Sequence, residues 1–352
     1  MHYTRPILVL MKCLLVLACL CVVTGGCFGR SDGAIRFEKA LHQPLPWLSD
    51  AVQTPHVTEL LQVALRVAPR NTTLTVITMT RGIRRWIQNV VASLHIQQIY
   101  TVLVATFEER SLASCHRLKL NCVDARPYMT EGFSVKEDGA HSFGEDDALV
   151  LWWSKQRIAI ALLKAGYTVH GMDADAVVFR NVYADYAHAV KRTGAAAIFA
   201  AEDNGELGHY INTINAGCYY ATPAALPMFE AWVNGTDRYI DQNVLNNMAY
   251  KTFSFCNDHQ TCDAVTRAGM VPVWRHPSFY GDGDSCVRKQ WPLGGHCQDR
   301  LAYIHMLCVV GWENKREVWD GLGLWLVEDD GRWVQNSTLF EPCPRQSWVI
   351  DT

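Results

Sequence analysis

The sequence contains no internal repeat and no low-complexity tract, which argues against repeat arrays and against a largely unstructured chain. Charge of one sign is lacking as well. With 32 Lys and Arg against 35 Asp and Glu, the formal net charge is -3 and the isoelectric point lies near 6.5. A polyanion partner would need a basic face for its phosphates, and none is evident along the chain, so nucleic acid is excluded as a partner. Thirteen cysteines are present, yet paired Cys-x-x-Cys knuckles and a Cys/His quartet at ligand spacing are missing. That sets a structural zinc site aside. A second long apolar run is missing too, so only the N-terminus is expected to meet a membrane.

The one long apolar run is Ile7 to Val23, with Arg5 on its N-terminal side and Lys12 inside it. It reads as a signal-anchor over residues 7–27 behind a cytosolic tail of residues 1–6. The small residues Thr24, Gly25 and Gly26 that follow keep a cleaved signal peptide, and hence secretion, open as the alternative. Asn71-Thr72-Thr73, Asn234-Gly235-Thr236 and Asn336-Ser337-Thr338 fit the N-glycosylation acceptor pattern, which agrees with a lumenal address. Four cysteines, Cys13, Cys19, Cys21 and Cys27, lie in or beside the apolar run, which leaves nine for the folded part. The close spacings Cys115 to Cys122, Cys256 to Cys262 and Cys286 to Cys297 predict local disulfides in an oxidising compartment.

Residues 28–70 mix Pro44, Pro46, Pro55 and Pro69 with polar residues and read as a stem holding one short helix near Val57 to Val67. The folded domain is then 71–352, and 49% apolar residues suffice for a sizeable core. Leu74 to Met79 and Val102 to Ala105 read as strands, with Trp86, Val90, Val91, Leu94 and Ile99 at near-helical spacing between them. A helix from Leu149 to Lys164 stops at Gly166, and Tyr167 to Met172 reads as the next strand. Apolar strands are predicted at Ala195 to Ala201 and Cys218 to Ala221. Helices are predicted from Pro223 to Val233 and from near Asp241. Alternating strands and helices predict an α/β fold with a mostly parallel sheet and helices on both faces.

Asp173-Ala174-Asp175 stands where an apolar strand runs out. Ligands of open α/β sheets bind beyond the carboxyl ends of the strands. Two carboxylates one residue apart at such an edge can both reach a hard divalent cation, which commonly bridges carboxylate and phosphate oxygens. Taken alone, such a triplet is more often a solvated turn. Further polar clusters follow in apolar surroundings: Asn215-Ala216-Gly217, Asp241-Gln242 at the start of a helix, and His305 leading to Gly311 and Lys315. Each also has a plain structural reading, as a turn, a helix N-cap, a core histidine or a solvated helix residue.

The ordered set is more specific than its members. Lys155, Gly166-Tyr167, Asp173-Ala174-Asp175-Ala176-Val177-Val178, Asn181, Asn215-Ala216-Gly217, Asp241-Gln242, then His305, Gly311, Lys315 and Gly323-Leu324-Trp325 resemble the nucleotide-diphospho-sugar transferases of the plant and algal cell-wall type. The resemblance covers about Leu74 to Leu326. It implies the GT-A fold, a single-pass type II Golgi membrane protein, and retaining transfer of a galactose-, arabinose- or xylose-class sugar from a UDP-type donor to a glycan or glycoprotein. It implies Mn²⁺ or Mg²⁺ held by Asp173, Asp175 and His305. Lys155, Asp173, Asn215, Gly217 and Lys315 would bind the donor, and Asp241 and Gln242 would face the reacting sugar. Leu307, Ala216-Gly217 and Asn243 depart from the family's usual residues, which bears on the sugar contacts more than on the metal. Two other readings stand beside this one: a non-catalytic lectin-like or chaperone protein on the same fold, and a haloacid-dehalogenase-type phosphatase, whose nucleophile motif Asp173-x-Asp175-x-Val177 also fits.

Overall fold

A computed structural model describes residues 55–129, 135, 146–201, 214–234, 241–276, 302–306 and 311–328, all within one compact unit, Leu45–Thr352. The apolar N-terminal run, Cys286, Cys297, Leu307 and Asn336 lie outside these residues. No helix among the described residues is long and apolar enough to cross a membrane.

The chain enters through α1 (Pro55–Val67), which packs on the strands Val102–Thr106 and Cys122–Asp124 with Leu60, Val63 and Ala64 buried. The segment read as a stem thus carries a helix laid against the sheet. A β-branched run then forms β1 (Thr73–Met79), followed by α2 (Arg84–Ile96), β2 (Val102–Thr106), α3 (Glu109–Arg117) and β3 (Cys122–Asp124). The long helix α4 (Asp146–Lys164) leads to β4 (Thr168–Met172) and β5 (Ala176–Val178). Helix α5 (Val182–Thr193) follows, capped by the Asn181 side chain and closed by Gly194 in the left-handed region. Then come β6 (Ala197–Ala201), β7 (Ile214–Ala221), α6 (Leu226–Asn234), α7 (Asp241–Asn247), β8 (Phe253–Phe255), α8 (His259–Arg267) and β9 (Val271–His276). Last among the described elements are β10 (Tyr303–His305) and α9 (Trp312–Gly321).

Eight strands form one sheet in the order β3-β2-β1-β4-β7-β6-β9-β8. Strand β7 runs antiparallel to both its neighbours, β4 and β6, and the remaining adjacent pairs are parallel. The expected mostly parallel α/β sheet is therefore what forms. Strand β2 is buried at every position, as strands covered on both faces are. From β1 the chain steps outward to β2 and β3, then returns to place β4 on the other side of β1. This reversal of order opens a crevice at the carboxyl ends of β1 and β4, where open α/β sheets take their ligands.

Two of the three expected disulfides fall within the described residues, and both form: Cys115–Cys122 and Cys256–Cys262, with Cα separations of 6.0 and 5.0 Å. Cys218 is buried on β7 and belongs to neither of these disulfides.

Candidate metal and donor site

Strand β4 ends at Met172, and the chain turns through Asp173, Ala174 and Asp175 before β5 begins. Strand β5 pairs antiparallel with β10 in a separate two-stranded sheet, whose register sets His305 opposite Ala176. The Met306 N–H donates to the Asp175 carbonyl at 3.0 Å and locks that register beside the turn. This pairing is how a histidine 130 positions downstream of Asp175 reaches the acidic turn. One ligand atom from each of Asp173, Asp175 and His305 lies within 4.8 Å of the other two.

Each carboxylate is held on one side and left pointing inward on the other. Asp173 Oδ1 accepts from Lys155 Nζ at 2.5 Å, while its Oδ2 lies 3.7 Å from His305 Nε2. Asp175 Oδ2 accepts from Lys315 Nζ, while its Oδ1 lies 3.2 Å from the same His305 nitrogen. Two carboxylate oxygens thus face one imidazole nitrogen. Hard oxygens with a single nitrogen suit Mn²⁺ or Mg²⁺, and the absence of sulfur from the set disfavours thiophilic ions.

The two lysines are not equivalent. Lys155 projects from α4, is 2% exposed, and also reaches the Ala216 carbonyl at 3.4 Å. Burial works against its charge, but Asp173 and Asp241 outweigh that and hold its pKa above the ordinary value. Lys315 sits on α9 at the edge of the site, its side chain 16% exposed. Burial would push the Asp175 carboxyl upward, and the charges of Lys315 and His305 overcome it, so Asp175 stays ionised well below the usual carboxylate range.

Beside this group, β7 and α7 carry the other residues expected from the sequence. Gln242 Oε1 accepts from Asn215 Nδ2 at 3.1 Å and from the Ala216 N–H at 3.2 Å, tying the start of α7 to the strand. Asn215 is itself on β7, not in a turn. Its Oδ1 accepts the Gly217 N–H at 2.6 Å. Gly217 is required by space, since a Cβ there would collide with the His305 ring, the Asp173 carboxylate and the Asn215 amide. Asp241 is buried, its two oxygens accepting from Gln156 Nε2 at 3.2 Å and from the Gln242 N–H at 2.8 Å. Burial raises its pKa to about 6, against the pull of nearby Lys155 and with some further push from Asp173.

Asp173, Asp175, His305, Lys155 and Lys315 thus form one charged cluster, and Asn215, Gly217, Asp241 and Gln242 form a hydrogen-bonded wall next to it. Ala216 lends its carbonyl to Lys155, and Asn243 is exposed. Sequence reading does not single out Gln156, which braces Asp241, or Tyr219. The Tyr219 ring fills the space over Gly171, and its buried hydroxyl finds no hydrogen-bond partner among the described residues. One helical position beside Lys155 was the available signal for Gln156; for Tyr219 there was none.

Solved structures with some likeness to this fold include glucosyl-3-phosphoglycerate synthase from Mycobacterium tuberculosis with Mn²⁺, uridine-diphosphate-glucose and phosphoglyceric acid. It is 13% identical, with 61% of this chain and 73% of that chain covered and a TM-score of 0.31. The galactosyltransferase LgtC in complex with donor and acceptor sugar analogues is 11% identical, with 73% and 98% covered and a TM-score of 0.37. The bifunctional glycosyltransferase WbbM is 11% identical, with 72% and 51% covered and a TM-score of 0.39. No curated protein sequence matches the chain. Residues 97–318, more than half of the chain, match the family model for nucleotide-diphospho-sugar transferases, which displaces the phosphatase reading of Asp173-x-Asp175. With its acidic turn, histidine and lysine falling inside that match, the chain belongs to the nucleotide-diphospho-sugar transferase family and is a glycosyltransferase.

Proposed function

We propose that this protein is a retaining GT-A glycosyltransferase that moves a galactose-, arabinose- or xylose-class sugar from a UDP-linked donor to a glycan or glycoprotein hydroxyl, with Mn²⁺ or Mg²⁺. The observation that carries this reading is the convergence of Asp173, Asp175 and His305, each carboxylate steadied by its own lysine. A divalent cation held there would neutralise the diphosphate as it leaves. Asp173 Oδ2, Asp175 Oδ1 and His305 Nε2 are the atoms available to hold it. Lys315, at the open edge, adds positive charge where negative charge develops. Lys155 is proposed to serve the donor through Asp173, which its buried ammonium fixes in place.

Asn215 and Gly217 would line the donor sugar, with Gln242 and Asp241 along its reacting face. Both Asp241 oxygens are occupied by hydrogen bonds inside the fold, and Gln242 is uncharged. That arrangement favours front-face attack, with the acceptor's proton passing to the leaving phosphate, over a carboxylate nucleophile. The membrane address is part of the same proposal: a type II Golgi protein anchored by residues 7–27, supported by the two disulfides and by the exposed acceptor Asn71. Residues 28–352 purified from a secretory host and assayed against a panel of nucleotide sugars test the reaction. Turnover of at least one UDP-sugar that requires Mn²⁺ and stops with chelator is expected; no turnover across the panel would overturn the proposal.

A further inference from the structure

A second concavity, of about 470 Å³, opens where the turn after β1 meets α9. Among the described residues, Arg81, Arg84, Arg85 and Arg316 line it together with Glu313, and two more carboxylates stand beside it: Asp320, 3.5 Å from Arg316 Nε, and Glu108, which accepts from the Arg81 N–H at 3.3 Å. A chain of net charge -3 thus sets four guanidinium groups around one cleft. Its floor is aromatic. Trp86 packs against Trp312 and Trp325, with ring centroids 5.0 Å away in each case. The Arg316 guanidinium is steadied 5.2 Å from the Trp325 ring.

None of Asp173, Asp175, His305 and Lys315 lines this cleft, so it is distinct from the charged cluster. The two are nevertheless neighbours, because Trp312 lines the cleft and lies 5.7 Å from the Lys315 ammonium. The size is that of a small-ligand pocket. Guanidinium forks bind carboxylate and sulfate in bidentate fashion. The electron-rich faces of tryptophan rings accept the C–H face of a sugar. Among the described residues, no hydroxyl or amide side chain lines the cleft to read the edge of a nucleobase.

We propose that this cleft binds the acceptor through an acidic sugar, one bearing a carboxylate or a sulfate ester, and so selects anionic glycans for the reaction proposed above. The inference rests on that reading for its place in the reaction, but its binding test does not. The intrinsic tryptophan fluorescence of residues 28–352 is titrated in EDTA, without nucleotide sugar, using cellobiouronic acid, cellobiose sulfate and neutral cellobiose. The acidic disaccharides should bind about tenfold or more tightly than cellobiose, as expected for hydrogen bonds to a charged group. Raising the salt should weaken only the acidic sugars. The double variant Arg84→Gln/Arg316→Gln should bring acidic and neutral sugars to equal affinity with an unchanged melting temperature. Equal affinity for all three sugars in the unaltered protein would overturn the proposal without recourse to any variant. So would displacement of the acidic sugar by UDP, which would assign the cleft to the donor. A protein that binds acidic sugars in this way but turns over no donor would refute the proposed reaction and leave the binding site standing.

Discussion

Two regions meet at the carboxyl ends of β1 and β4, and they handle charge in opposite ways. In the acidic cluster every carboxylate has a cation against it, and water is largely excluded: Asp175 and His305 are buried, and Lys155 is nearly inaccessible. In the arginine cleft, four guanidinium groups gather on a more accessible wall, with Glu313 among them and Asp320 beside Arg316. Buried charge has to be compensated within the fold, because desolvation costs several kcal/mol per ion in order of magnitude. Charge on an accessible wall is screened by water and stays within reach of a ligand, whatever surface partners it also has. The first region is therefore built to hold atoms in place, and the second to receive them.

The sharpest way to break this contrast is to remove a counter-charge from the buried side. Asp173→Asn orphans the buried Lys155 ammonium, and losing one member of a buried pair costs about 3–5 kcal/mol. A fall of that size in chemical denaturation is expected; a variant as stable as the unaltered protein would mean that Asp241 alone compensates Lys155. Next comes the packing that joins the two regions. Trp319 is fully buried 4.9 Å from Trp86, and Trp319→Leu should cost about 2–4 kcal/mol in the same assay. Its Mn²⁺ affinity should stay unchanged, and a loss of metal binding would show that the tryptophan layer positions the acidic turn.

Asp175→Asn sharpens the comparison from the other side. Its partner Lys315 is partly exposed and can turn to water, so the melting temperature should stay near that of the unaltered protein. Mn²⁺-dependent turnover should fall about ten- to a hundredfold or more, the usual cost of disturbing a metal site. Near-normal turnover would remove Asp175 from the ligand set. The smallest effect is a pH slope. Asp241 has a folded pKa of about 6, above the ordinary carboxylate value. Between about pH 4 and 6 the folded state therefore binds more protons at this residue than the unfolded state, so its contribution to stability falls as pH rises through that window. Asp241→Asn should flatten the slope by up to about 1 kcal/mol per pH unit, and calorimetric melting across pH 4 to 7 reads it directly. An unchanged slope would assign the titration to another group.

Sequence reading succeeds where the pattern is local and long. The β-branched run of β1 and the apolar stretch closing at Met172 were both legible, as was the amphipathic helix that ends in Lys164. The disulfide pairs Cys115–Cys122 and Cys256–Cys262 could be read from spacing because each closes a short loop. The far side of the sheet was not legible in the same way. Strand β8 has three residues, too few for any period to register, and α8 and β9 went unread behind it. The predicted strand at Cys218 to Ala221 begins at Ile214, so the Asn215-Ala216-Gly217 cluster lies within β7.

The sequence by itself determined that carboxylates would stand at the end of a buried strand, since an apolar run can place charge only where it leaves the core. It also supplied the order of motifs that marks the family. Only the tertiary structure decided that β7 runs antiparallel and that β10 pairs with β5, and hence that His305 faces both aspartates. Only the fold gathered Arg81 and Arg316, 235 positions apart, on one wall. Strand direction and long-range register come from side-chain packing across the whole sheet, and no local window of residues contains that information.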